Sequence, residues 1–321
     1  MIKLGIILTN QYRLLSVAAI LDVFETVNGL YRKDHEESPF SIMMISPDDA
    51  DSAGSFSSYP VVPAKLAGDL DLIMVSAFST ENIQTAIQQN ASFIPWLKEQ
   101  FEKGAEIATF CTGAFLLGAT GLLNGKQATT HIDACEAFSL NFPDVRLLPD
   151  KIVTGDCGLF TSGGATSSFH LLLHLIQGFC GKEVAVRTAK LFAVDMDRVN
   201  QSYFGTFLPT QDHNDELVAM AQKKIEEAYH HAGTIEEMIK DVPASRRNIA
   251  RRFKLVTGIT PIEYLQKTRI EAAKKLLEQT NQQMLEIMLS SGYNDPKAFR
   301  KIFKKTVGMT PTGYRAKFQA A

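Results

Sequence analysis

The sequence predicts two domains of different class: an α/β domain with a parallel sheet sandwiched by helices, then an all-α domain carrying two helix-turn-helix units. Three observations predict it. Short apolar runs alternate with helical periodicity over the first two hundred or so residues, strand patterns vanish after residue 216, and a C-terminal segment recurs at a fixed offset. At 321 residues the chain is long enough for each domain to bury its own core.

Residues 3–8 (KLGIIL) read as a first strand and 14–28 as a helix. Apolar runs at 40–45, 70–75 and 107–110 are too short for helices and read as further strands. Between the last two, residues 80–103 show helical spacing at Ile83, Ile87, Ile94, Leu97 and Phe101, stopped by Gly104. This βαβ rhythm implies a parallel sheet covered on both faces. Short strands follow near 151–154 and 158–161, then a long apolar helix from about 165 to 179 and another over 184–192. Residues 205–215 (GTFLPTQDHND) lack periodicity and are rich in turn formers. The expected division is therefore 1–204, a linker at 205–215, and a helical domain at 216–321.

An apolar fraction of 45% and a charged fraction of 21% are those of an ordinary globular protein. No apolar run reaches the roughly 18 residues that span a bilayer. The N-terminus MIKLGIILTN lacks a signal-peptide cleavage site, so neither a leader nor a membrane partner is expected. Cys111, Cys135, Cys157 and Cys180 are widely spaced and form no CxxC, which argues against a metal site or disulfide framework and fits a reducing cytoplasm. The net charge of −2 conceals an asymmetry: residues 215–321 carry 19 basic and 12 acidic side chains, and 1–214 carry 14 and 23. A basic domain joined to an acidic one suggests a polyanion-binding module on a body with another task, although a basic face can equally be a solvated one.

The repeat decides between these readings. Residues 249–264 (IARRFKLVTGITPIEY) and 299–314 (FRKIFKKTVGMTPTGY) share Phe253/Phe303, Lys254/Lys304, Gly258/Gly308, Thr260/Thr310, Pro261/Pro311 and Tyr264/Tyr314. Thr234–Glu237 reads as a capping box opening a short helix, and a second helix opens near Ser245. On that helix Ile249, Phe253 and Val256 share an inward face, with Arg247, Arg251 and Lys254 opposite. In the second unit Gly292 supplies the turn and Asp295-Pro296 an N-cap with proline at the first helical position. There Phe299, Phe303 and Thr306 are expected inward, with Lys297, Lys301 and Lys304 outward and Arg300 flanking. A basic face repeated in register, on the helix such a motif inserts into a major groove, favours double-stranded DNA as partner. Thr260–Glu263, a further capping box, opens a long connecting helix to about Gln279.

These residues, PIEYLQKTRIEAAKKLLEQT, then GYND, FRKIFKK and GMTPTGYR, resemble the AraC/XylS regulators. The resemblance implies two helix-turn-helix units entering successive major grooves roughly one DNA turn (~34 Å) apart. By position it places the base-reading residues on Arg247, Ala250 and Arg251, and on Lys297, Arg300 and Lys301. Arg246, Asn248, Lys254 and Lys304 complete the expected DNA-contacting set.

In the N-terminal part, ATFCTGAFLLGATGLL sets Cys111 between a strand and a helix, the arrangement of a nucleophile elbow. There a helix dipole would favour a thiolate, and His131 in ATTH could act as base; a small buried thiol in a tight turn is the alternative. The elbow, with TTHIDA, TSGGATSS and LLLHL, resembles the glutamine-amidotransferase-like superfamily that includes PfpI, a flavodoxin-type fold. The order of motifs followed by an AraC module is similar to that of GlxA-type regulators. The resemblance places the superfamily's supporting acid at Ser16, its oxyanion turn at Ser76-Ala77-Phe78 and its late-helix Asp at His170. A thiol without its carboxylate and with an altered oxyanion turn implies a non-enzymatic sensor. A small-molecule effector is then expected against Cys111, Thr112, His131, Ser76, Phe78 and Ser16, with homodimerisation through this domain. His170 and His174, at i, i+4 in an apolar stretch without a third ligand type nearby, read as core or pocket-lining histidines. No cofactor or metal is expected. The expected function is a sequence-specific DNA-binding transcription regulator controlled by a small metabolite. The alternative is an active Cys-dependent amidase or hydratase fused to a DNA-binding module.

Overall fold

The computed structural model describes residues 1–34, 36–47, 55–56, 58–80, 82–198, 200–207, 209, 213–231 and 233–319. Two compact units divide the chain, Met1–Gln201 and Ser202–Ala321.

The first unit runs β1 (Ile2–Ile7), α1 (Leu14–Lys33), β2 (Phe40–Ser46), β3 (Ser55–Phe56), β4 (Tyr59–Pro63), β5 (Leu72–Val75), α2 (Ile83–Gln89), α3 (Phe93–Glu102), β6 (Glu106–Thr109), α4 (Ala114–Ala119), β7 (Gln127–Ala128), α5 (Cys135–Asn141), β8 (Arg146–Leu147), β9 (Val153–Asp156), β10 (Leu159–Ser162) and α6 (Ser167–Leu191). The sheet order is β3-β4-β2-β1-β5-β6-β10-β9, parallel from β4 to β10 and closed at both ends by antiparallel pairs. Period-2 alternation distributes its side chains between two cores. Leu4, Ile6, Leu72 and Met74 pack with α1 and α6, whereas Ile7, Ile73 and Val75 pack with α3 and α4. A sheet covered on both faces explains why its strands read as unbroken apolar runs. Helix α1 has the length and hydropathy to cross a bilayer, but its Val17, Ile20, Phe24 and Val27 are fully buried in this core.

One expected element differs. The single helical stretch at 80–103 is two helices broken at Asn90, whose buried amide donates to Ala86 O and Asn10 O while its Oδ1 accepts from Asn10 N–H. That side chain ties the break to the β1–α1 loop, a long-range reason that periodicity does not carry. The helices expected at 165–179 and 184–192 are both present, as two helical segments of α6 separated by a kink at Gly181, whose φ of 87° and ψ of 166° are non-helical.

The second unit is helical: α7 (Glu216–Ala228), α8 (Ile235–Met238), α9 (Arg246–Thr257), α10 (Pro261–Gln279), α11 (Met284–Ser290), α12 (Pro296–Val307) and α13 (Pro311–Phe318). It holds one core around Phe253 and Tyr264 and another around Phe303 and Tyr314. Tyr203 and Phe204 stack near Phe318, and Phe207 packs edge-on to Tyr264. The chain thus joins the helical unit before the linker expected at 205–215, with Tyr203 and Phe207 partly covered by its two cores and Phe204 still exposed; residues 208 and 210–212 lie outside the described residues.

Candidate DNA interface and sensor site

Each shared residue of the repeat has the same structural task twice. Gly258 and Gly308 end α9 and α12 in the left-handed region (φ 79° and 80°), their N–H groups donating to Lys254 O and Lys304 O. Thr260 and Thr310 cap the following helices, each accepting from the backbone N–H three residues on, and Pro261 and Pro311 take the first helical position. Phe253 meets Tyr264 edge to face at 5.2 Å, and Phe303 meets Tyr314 at 5.7 Å. Each tyrosine hydroxyl donates to a glutamate of the preceding long helix, Tyr264 to Glu226 at 2.6 Å and Tyr314 to Glu278. Burial is the largest of the effects that raise both phenol pKa values, followed by the glutamate partner.

This frame aims two basic faces outward. On α9, Arg246, Arg247, Arg251 and Lys254 are exposed, and Asn248 is half-buried under the Ser245 cap. On α12, Lys297, Arg300, Lys301 and Lys304 are exposed. The inward row needs one correction: Thr306 is exposed and Val307 is buried in its place, as Thr257 is in the first unit. Rows at i, i+4 and i+8 (Ile249-Phe253-Thr257 and Phe299-Phe303-Val307) form the contact, with Val256 only partly covered. The basic residues differ in their commitments. Arg246 pairs with Glu236 of α8, and Arg252 pairs with Asp215 at 2.9 Å. Among the described residues, no ion pair holds Lys297, Arg300, Lys301 or Lys304. Sequence reading missed the Gln283–Glu286 capping box that opens α11, a pattern that its glutamine cap hides.

In the first unit, Cys111 follows β6 with φ 52°, the left-handed backbone of a nucleophile elbow. The elbow lies against the end of β5, where a Cβ on Gly113 would stand 2.6 Å from Ser76 O. Thr112 Oγ1 accepts from Phe78 N–H at 2.9 Å, and Thr130 Oγ1 donates to Cys111 O at 2.9 Å. Arg13 N–H donates to Ala77 O. Ser16, Ser76, Phe78 and Cys111 are all buried. His131 is the half-exposed member, its Nδ1 accepting from Asp133 N–H and its ring beside Gly164. The thiolate expected from a helix dipole is reversed: burial pushes the Cys111 thiol up, against smaller lowering effects from Thr112 and the charge of Arg13. Burial prevails because the 3-10 turn and the helix of only six residues that follow supply little dipole against it. Arg13 is the residue near this site that sequence reading missed, being an exposed loop cation without a motif.

An elbow-bearing α/β domain joined to a duplicated helix-turn-helix domain defines a DNA-binding regulator built on an enzyme-like body. Comparison with known proteins gives the same composition. A helix-turn-helix domain family matches residues 238–317, and the DJ-1/PfpI family matches 82–178. The chain is 24% identical over 321 residues to the HTH-type transcriptional regulator GbdR of Pseudomonas aeruginosa, covering 98% of this chain and 84% of that protein. It is 26% identical over 220 residues to the HTH-type transcriptional regulator GlxA of Rhizobium meliloti, covering 66% and 65%. The first unit has the fold of a putative transcriptional regulator from Vibrio parahaemolyticus (TM-score 0.51, 17% identity, 59% of this chain and 98% of that one). The chain is thus a DNA-binding transcription regulator with a DJ-1/PfpI domain followed by an AraC-type helix-turn-helix domain, similar to regulators such as GbdR and GlxA.

Proposed function

We propose that α9 and α12 read an operator through Arg247, Asn248 and Arg251 on one helix and Lys297, Arg300 and Lys301 on the other, while Lys254 and Lys304 neutralise phosphates. The observation that carries this reading is the exposed basic face on both helices, in register with a twice-built core. Arginine can pair bidentately with guanine, and lysine chiefly lowers the cost of approaching phosphate. Arg246 serves the first unit's own packing through Glu236 and contributes less to the interface.

The DJ-1/PfpI domain is proposed as a dimerising sensor that works in the cytoplasm and binds a small effector against the elbow cluster of Cys111, Thr112, Ser76, Phe78, Ser16 and His131. The left-handed backbone at Cys111 is the one feature that favours the alternative, a Cys-dependent amidase. A buried thiol held protonated and a serine at the position of the supporting acid favour the non-enzymatic reading. Selection of genomic fragments by the purified chain at near-physiological salt tests the function. Recovery of one motif with two contact blocks about a helical turn apart is expected; recovery of random fragments whose binding vanishes with salt would refute the operator reading. Cys111→Ser should leave DNA binding intact, and loss of an amidase activity in that variant would establish the enzyme.

A further inference from the structure

The first unit contains a second concave site that the elbow does not use. It is a cleft of about 280 Å³ between the start of β9, one face of α6 and the segment that leads out of the unit. His170, Leu173, His174 and Gln177 line it from α6 at i, i+3, i+4 and i+7, while Leu171, Leu172, Leu175 and Ile176 of the same helix are buried in the core. From the other side come Lys151 and Arg198, with Ile152, Val153 and Met196 as apolar wall.

Among the described residues, the polar lining consists of two cations, two imidazoles and an amide, with no carboxylate among the lining side chains. Its geometry is fixed by the surrounding structure. Arg198 is held at Thr166 Oγ1 (2.8 Å) and Ser167 Oγ (3.1 Å), and His170 Nε2 lies 2.9 Å from Asp195 O. The His174 ring lies 5.6 Å from that of Phe160. Asp195 Oδ1 accepts from Asp197 N–H at 3.0 Å, and it is the Asp195 carbonyl that contacts the imidazole. A pocket near the lower end of the usual ~300–1,000 Å³ takes a small ligand. Cationic donors beside an apolar wall select an anion with a hydrocarbon body, and a singly charged carboxylate is desolvated there at less cost than a phosphate.

We propose that this cleft binds a small organic carboxylate between Lys151 and Arg198 and that its occupation controls the segment leading to the DNA-binding unit. Lys151 bridges to Asn200, and Gln201 N–H donates to Asp150 O, so the ligand straddles the point where the exit segment is pinned. Buried Gln201 closes the connection: its Nε2 donates to Thr130 O and Pro149 O at 2.9 Å and its Oε1 accepts from Gly164 N–H, while Thr130 Oγ1 reaches Cys111 O. The next residue in the chain, Ser202, opens the helical unit.

The test uses the full chain, methyl-labelled at methionine, with hexanoate as probe and hexylamine and hexanol as charge controls. Hexanoate should shift the Met196 methyl resonance saturably and the amine should not; the Met196→Leu variant identifies the signal. Lys151→Met should weaken hexanoate about tenfold, as expected for loss of one charged hydrogen bond. No saturable shift at Met196, an equal response to amine, or unchanged binding in Lys151→Met would overturn the site. Saturating hexanoate should change operator affinity by about threefold or more, and an unchanged affinity would overturn the control. That half rests on the DNA-binding reading, whose own failure would show as absent operator binding with the Met196 shift intact.

Discussion

Lys304 and Arg251 occupy equivalent basic faces but should fail differently. Lys304 is exposed in the last turn of α12, and only its backbone carbonyl takes part in the helix cap, accepting from Gly308 N–H. Lys304→Ala therefore removes a charge while leaving the fold intact. Each neutralised phosphate contributes about −0.9 to the slope of log affinity against log salt. Removing one should flatten the slope by that amount, so that a fourfold rise in salt weakens the variant about 3.5-fold less than the parent. The loss should be the same for every DNA sequence. Arg251, exposed on α9 with Nη2 3.5 Å from Asn248 Oδ1, should behave oppositely. Arg251→Ala should cost about 1–3 kcal/mol on the selected operator and relax the preference at one base step. Arg246→Ala is the internal comparison, because its guanidinium is engaged by Glu236 and its slope change should be the smallest of the three. Equilibrium titrations of operator and scrambled duplex at several salt concentrations read all of this. If Lys304→Ala and Arg251→Ala both bind every duplex as the parent does, the assignment of faces is wrong.

Three further outcomes concern the frame and the elbow. Gly258→Ala and Gly308→Ala should each destabilise the helical unit by about 1 kcal/mol, the cost of a Cβ in the left-handed region, measured by urea unfolding. Gly292→Ala should cost more, since its Cβ would also stand 2.1 Å from Tyr229 O. Tyr264 and Tyr314 have phenol pKa values raised above the ordinary 10, so their contribution is complete below that pH and falls as pH rises beyond it. Alkaline unfolding should flatten in the double Tyr→Phe variant, and an unchanged pH profile would refute the contribution. Alkylation at neutral pH should label exposed Cys157 well before Cys111, whose thiol is buried and held protonated; the reverse order would revive a reactive elbow.

The parts of this molecule legible in the sequence are those fixed by local chemistry. The Thr234–Glu237 and Thr260–Glu263 capping boxes, the Asp295-Pro296 start and the glycine ends are written within four residues of where they act. The alternating cores of the parallel sheet follow from period 2 and burial on both faces. What escaped depends on distance in sequence. The break at Asn90 is made by Asn10, the end of the first unit by Gln201 reaching Thr130 and Pro149, and the electrostatics of Cys111 by burial under distant strands. Strands of two residues, β7 and β8, pair with each other across nineteen positions and carry no pattern of their own. Val307 was displaced by Thr306 in the expected inward row because a one-residue choice between i+3 and i+4 is settled only by the neighbouring core.

The duplication also explains how one frame can support two kinds of contact. In the first helix-turn-helix, Glu236 and Asp215 hold Arg246 and Arg252, fixing α9 against α8 and the start of α7. A helix held at both flanks presents Arg247 and Arg251 from a defined position, which bidentate recognition of a base edge requires. In the second helix-turn-helix the shared Phe303, Pro311 and Tyr314 build the same core, but no acidic partner holds the lysines of α12 among the described residues. Flexible ammonium groups suit phosphate neutralisation, where attraction matters more than angle. The first helix-turn-helix should accordingly dominate sequence preference and the second the salt dependence, so exchanging the exposed residues of α9 and α12 should exchange those two properties while leaving the cores unchanged.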